Sequence, residues 1–121
     1  GMDKWLIDPK LSKQFLEYCK QEFNSENIEA YLAILDYEKN PNREKAIKLY
    51  LTYIKQDSEK ELNIQRSEPI IKELEAVSRN KKAPLPTNFE SVKKTLAINL
   101  SDPFSRFMFT DTYAKETVTN N

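Results

Sequence analysis

Beyond its first residue, the 121-residue chain contains no glycine. That removes phosphate-cradling loops, the dinucleotide fingerprint and calcium loops of the EF-hand type, which all need Gly where the backbone turns sharply or meets a ligand. Histidine is absent and cysteine occurs once, as Cys19. Zinc sites and Cys/His or Ser/His nucleophile pairs therefore cannot be assembled, and neither a metal nor a cofactor is expected. A lone cysteine forms no disulfide within the chain and suits a reducing compartment. Net charge is missing as well: 19 Lys and Arg balance 19 Asp and Glu, leaving no bulk field to gather nucleic acid or anionic lipid. No apolar run approaches the roughly 18 residues of a membrane span, and no signal peptide is legible. Carboxylates are plentiful, but none pairs off as an acid/base couple, so the chain is not expected to be an enzyme.

What remains is a helical pattern. A chain of 121 residues is about one domain and buries roughly two-thirds of its unfolded surface. Gly1 and Met2 read as a cloning remnant, outside a single domain over about 3–116. Trp5 is expected to cap a core from outside. Asp8-Pro9 is a helix start, with Asp as N-cap and Pro at the first position, where its missing N–H costs nothing. The helix behind it carries Leu11, Phe15, Tyr18 and Cys19 on one face. A polar turn at 22–27 then opens a helix over about 25–39, which Asn24 or Ser25 can cap. Asn40-Pro41-Asn42 breaks the chain, and Asn42 can cap a helix over about 43–55 that buries Ala46, Ile47, Tyr50, Leu51 and Ile54.

Periodicity lapses over 56–64. Leu62 alone can anchor this stretch, which leaves Glu59, Glu61 and Asn63 facing outward. A helix over about 67–78 carries Ile70, Ile71, Leu74 and Val77, and the basic, proline-marked run 79–86 reads as a solvated loop. Thr87 and Glu90 fit a capping box. The helix they open has Phe89, Val92, Leu96 and Leu100 on its stripe and is expected to end near Ser101. Asp102-Pro103 repeats the earlier start signal, with Arg106 placed for an intrahelical ion pair to Asp102. Residues 117–121 are expected to fray. No alternation and no hairpin turn competes, so the fold class is all-α.

Four segments together resemble the regulator of G-protein signalling (RGS) domain: Glu-Phe-Asn-Ser-Glu-Asn-Ile-Glu-Ala-Tyr-Leu (22–32), Ala-Ile-Lys-Leu-Tyr with the following Tyr-Ile (46–54), Glu-Leu-Asn-Ile (61–64) and Asp-Pro-Phe-Ser-Arg-Phe-Met (102–108). They stand in that family's order and close to its spacings. The resemblance implies about nine helices, arranged as an antiparallel four-helix bundle over about 25–100 and a terminal subdomain built from about 3–21 and 102–116. It implies a monomeric, cytoplasmic signal transduction inhibitor, with neither a membrane span nor a nucleic-acid partner, that flanking segments or its partner can bring to the inner face of the plasma membrane. The implied function is GTPase activation: binding the switch regions of a Gα subunit in its GTP-bound or transition-state form and speeding its GTP hydrolysis. The alternative is a scaffold of the same fold that lacks this ability.

Carried over position by position, Asn63 matches the asparagine that reaches into the switch region. Glu22, Phe23, Asn24, Glu26 and Asn27 match the turn that supports it, Glu61 shares the bend, and Asp102 with Arg106 matches the third contact loop. Pro103 replaces a common serine and Glu59 a small residue. The interval from Phe89 to Asp102 is one residue short, so either Ile98 or Asn99 takes the family's contact-leucine position.

Overall fold

A computed structural model describes residues 1–65 and 68–119. The described residues form seven α-helices and one π-helical segment, with no strand among them: α1 (Met2–Ile7), α2 (Pro9–Gln21), α3 (Glu26–Lys39), α4 (Arg43–Leu49), the π segment (Tyr50–Ile54), α5 (Glu68–Ser78), α6 (Glu90–Phe107) and α7 (Asp111–Thr119). Two expected start signals act as anticipated. Asp8 Oδ1 accepts the N–H groups of Lys10 and Leu11 at 2.9 and 3.1 Å, and Asn42 Oδ1 accepts that of Lys45 at 2.8 Å. Among the described residues, no helix is long and apolar enough to cross a membrane.

Buried side chains fall into two clusters. One lies in the bundle of α3, α4, α5 and α6 and includes Ile34, Tyr37, Leu49, Ile54, Leu62, Leu74, Phe89 and Leu96. The other joins the chain's two ends and includes Trp5, Leu6, Phe15, Cys19, Ile28, Leu100, Phe104 and Phe107. Helices α3 and α6 contribute to both, and Tyr31 packs against both. Lys93 of α6 also grips Glu38 of α3 at 2.7 Å. These two helices therefore form a common wall, and whatever sits on α6 is fixed relative to α3. Burial pushes the Cys19 thiol up to about 12, with Glu22 adding to the rise, so at neutral pH it is a protonated core residue.

Several expectations need correcting. Trp5 lies inside the terminal core, its ring 5.0 Å from that of Phe107. Met2 opens α1 and packs on the same core. The helix expected over 43–55 changes to a π turn at Tyr50, which inserts one extra residue and slips the buried phase. Leu49, just before it, is buried, while Leu51 is exposed and Ile47 and Tyr50 are half-buried.

The capping box does not form. α6 begins at Glu90 with Phe89 as N-cap and no side-chain cap bond. Burial of Phe89 against Tyr37 turns Asn88 inward, where its Oδ1 accepts from Tyr37 Oη at 2.8 Å and Leu85 N–H at 2.6 Å. Thr87 is left with its side chain exposed, while its carbonyl accepts Glu90 N–H at 3.1 Å.

α6 also does not stop at Ser101 but runs through Pro103 to Phe107. A mid-helix proline removes one backbone bond and crowds the preceding turn. Here Leu100, Pro103, Phe104 and Phe107 are all buried on one stripe, and their burial outweighs that loss. This continuation merges two expected helices and is one reason the described residues hold seven α-helices where about nine helices were expected. At the C-terminus α7 continues through Thr119: Thr117 Oγ1 donates to the Tyr113 carbonyl at 3.0 Å, and Glu116 accepts from Gln14 at 2.9 Å. Ser67, expected to start a helix, and Asn120 and Asn121, expected in a frayed tail, lie outside the described residues.

Candidate docking surface

Three pieces of chain meet where α6 passes the N-terminus of α3. The first is the turn 22–27. α2 ends in a Schellman arrangement, with Phe23 N–H donating to the Lys20 carbonyl and Asn24 N–H to the Cys19 carbonyl, both at 3.0 Å. That geometry needs a left-handed residue, and Phe23 fills the position with φ 56°. Glycine or asparagine is usual there, because a β-carbon in that region costs about 1 kcal/mol or more. The equivalent position after α5 is held by Asn80 at φ 61°. Phe23 recovers nothing by packing, since it is 95% exposed.

Ser25 is the N-cap residue of α3, yet its hydroxyl does not cap: it donates to Glu29 Oε2 at 2.7 Å. Glu29 Oε1 accepts from Lys60 at 2.9 Å, which ties the second piece, the bend 55–65, to the first turn of α3. Burial works against the Glu29 carboxylate, but the bonds from Lys60 and Ser25 prevail and hold its pKa below the ordinary value. The π segment leaves the Thr52 and Tyr53 carbonyls to accept Lys60 N–H at 3.2 Å and Leu62 N–H at 2.9 Å. Leu62 is buried, as expected, while Glu59, Glu61 and Asn63 are exposed. Glu61 also accepts Asp57 N–H at 2.8 Å, steadying a residue with φ 63°.

The third piece is a stripe of α6, Asn99, Asp102 and Arg106, spaced to lie on one face. Arg106 Nη1 donates to Asp102 at 2.7 Å, while its Nη2 and Nε donate to the two oxygens of Glu22 at 2.8 and 3.2 Å. Tyr18 Oη adds a bond to Glu22 at 2.6 Å. Hydrogen bonds from Arg106 and then Tyr18 hold the Glu22 carboxyl below the usual carboxylate range, and the carboxylates raise Arg106 in turn. A guanidinium engaged in this way is occupied by carboxylates of its own chain. It is a clamp that holds two carboxylates in register, leaving the Asp102 carboxylate 81% exposed as an oriented acceptor. Asn99 Nδ2 meets Asn27 Oδ1 at 3.3 Å and the Asn63 carbonyl at 3.2 Å.

Glu22, Asn27, Asn63, Asp102 and Arg106 are thus brought together. Phe23, Asn24 and Glu26 accompany them on the turn, the first two exposed and Glu26 half-buried. The sequence profile of the Regulator of G protein signaling domain matches residues 1–115. The chain belongs to that family. It is 30% identical over 117 residues to Regulator of G-protein signaling 1 of Homo sapiens, covering 93% of this chain and 54% of that protein. Against Regulator of G-protein signaling 10 of Rattus norvegicus it is 27% identical over 121 residues, covering 95% of this chain and 63% of that protein. Against Regulator of G-protein signaling 13 of Homo sapiens the values are 32% over 106 residues, 84% and 64%. The chain therefore spans between about half and two-thirds of the length of these curated relatives.

Sequence reasoning missed two residues of this RGS domain's surface. Tyr18 read as a core residue, although its i,i+4 spacing from Glu22 offered a signal. Lys60 had no signal, because its partner Glu29 is 31 residues away.

Phe23 provides a direct test of the turn. Phe23→Gly should raise stability by about 0.5–1 kcal/mol in urea unfolding, because it relieves a left-handed backbone and removes no buried contact. A lowered midpoint would show that the turn does not need this geometry.

Proposed function

We propose that this RGS domain docks through the 22–27 turn, Asn63 and the Asp102–Arg106 pair onto the switch regions of a GTP-loaded Gα subunit. It thereby speeds that subunit's GTP hydrolysis. The observation that carries the reading is convergence: three segments far apart in sequence are cross-linked by Arg106 and Asn99 onto one face. Phe23 supports it, since an exposed aromatic held at positive φ is poorly explained by stability alone.

The domain acts as an activator, with the catalytic groups remaining those of the GTPase. Asn63 offers an amide that donates and accepts at once, suited to fixing a neighbouring side chain without adding charge. Asp102 offers an exposed acceptor for switch backbone N–H groups. Together they hold the mobile switches in the geometry of the transition state, where positioning supplies most of the rate. In this reading a single copy acts, in the cytoplasm. Pro103 is buried on α6, so its departure from the family's serine serves packing.

Glu59, exposed on the bend, favours the scaffold alternative, because it puts an added charge beside the contact face. Single-turnover GTP hydrolysis by a panel of Gα subunits, with and without the domain, decides between the two. Acceleration of at least one subunit is expected, with tighter binding to the GDP–fluoride complex that mimics the transition state than to the GDP form. Binding without that preference, and no acceleration anywhere, would leave only the scaffold reading.

A further inference from the structure

We infer that Asn99 is a positioning residue for Asn63, an inference that rests on the docking surface proposed above. Its side-chain Nδ2 carries two hydrogens, and two oxygens lie within reach: Asn27 Oδ1 at 3.3 Å and the Asn63 carbonyl at 3.2 Å. One nitrogen therefore joins α6, the start of α3 and the bend. The hold falls on the main chain of Asn63, which fixes the peptide that carries the side chain and leaves the exposed amide for a partner.

Few side chains can do this from position 99. Aspartate has the same shape but two acceptors, which would face two oxygens; serine has one hydrogen and shorter reach; leucine has none. The neighbouring Ile98 is 72% exposed and points its apolar surface outward. The two candidates for the contact-leucine position thus divide the work. Ile98 presents apolar surface, while Asn99 braces the bend from within.

The Lys60–Glu29 pair is a second tether to α3, but it grips a flexible side chain three residues before Asn63. Among the described residues, Asn99 alone is bonded to Asn63 itself. Rotation of that peptide moves the amide tip by more than the tolerance within which a positioning group works, about 1 Å.

The test compares Asn99→Asp and Asn99→Ser with wild type, using backbone amide exchange of the free domain and single-turnover hydrolysis by a Gα subunit that wild type accelerates. Exchange over residues 60–64 should quicken about tenfold at a melting temperature near wild type's. The maximal rate at saturating domain should fall about five- to tenfold, more than the half-saturating concentration changes. In an Asn63→Ala background, adding Asn99→Asp should cost less than about twofold, because the brace then has nothing to present. Asn99→Gln, which keeps the NH₂ group, should restore part of the loss. Unchanged exchange over 60–64, or a loss that multiplies fully with Asn63→Ala, would overturn the inference. Should wild type accelerate no Gα subunit, the proposed function fails, and the exchange comparison still decides whether the brace exists.

Discussion

Asn63→Ala is expected to lower the acceleration of GTP hydrolysis by about ten- to a hundredfold, the scale on which losing one oriented group acts at a transition state. The domain should stay folded. The bend that carries Asn63 is held by burial of Leu62, by the bonds from Lys60 N–H and Leu62 N–H to the π segment, and by the grip of Asn99 on a backbone carbonyl. None of these uses the Asn63 side chain. Asp102→Ala removes the other presented group and should cost less, because Arg106 keeps its paired bonds to Glu22 and the stripe stays in place. Single-turnover rates at saturating domain, read beside thermal unfolding, check both variants. Rates equal to wild type's would remove these residues from the mechanism, whereas a collapsed melting temperature would make them structural.

The fold was legible where local chemistry and burial agree. Asp8-Pro9 and Asn42 are capping residues in the sequence and in the structure, and the stripes of α2, α5 and α6 are apolar at helical spacing. It was illegible where burial overrides a local rule. Pro103 should end a helix, but Phe104 and Phe107 must both reach the terminal core, and a continuous α6 places them there. Thr87 should cap, but Phe89 goes inward and takes Asn88 with it. The π segment is invisible to a 3.6-residue period: Leu49 is buried just before it, Leu51 is exposed, and the next buried residue is Ile54.

The surface followed a similar division. Motif order singled out Asn63, Asp102 and Arg106 as candidates, and the pairing of the last two follows from their spacing. Nothing local announces that Arg106 also holds Glu22, since 84 residues separate them. Asn99 is the sharper example: in a helix pattern it is one more polar residue, and its role exists only because α3 and the bend arrive beside it.

The largest loss of stability is expected from Phe107→Ala, about 3–5 kcal/mol by urea unfolding, a large part of the 5–15 kcal/mol that holds a domain of this kind together. The Phe107 ring is fully buried, with ring centroids of Trp5 at 5.0 Å, Phe15 and Tyr18 at 5.2 Å, Tyr113 at 5.9 Å and Phe104 at 6.1 Å. These rings come from α1, α2, α6 and α7, so they cannot all close on the space left behind without shifting whole helices. A loss below about 1 kcal/mol would mean that the terminal core repacks freely, contrary to this arrangement. The effect should also reach the proposed docking face. Tyr18 packs on Phe107 and donates to Glu22, which Arg106 grips in turn. A cavity beneath Tyr18 therefore loosens the clamp from below. At a temperature where Phe107→Ala remains folded, its GTPase acceleration should still fall below wild type's. Phe107→Leu, which refills most of the space, should recover both properties together.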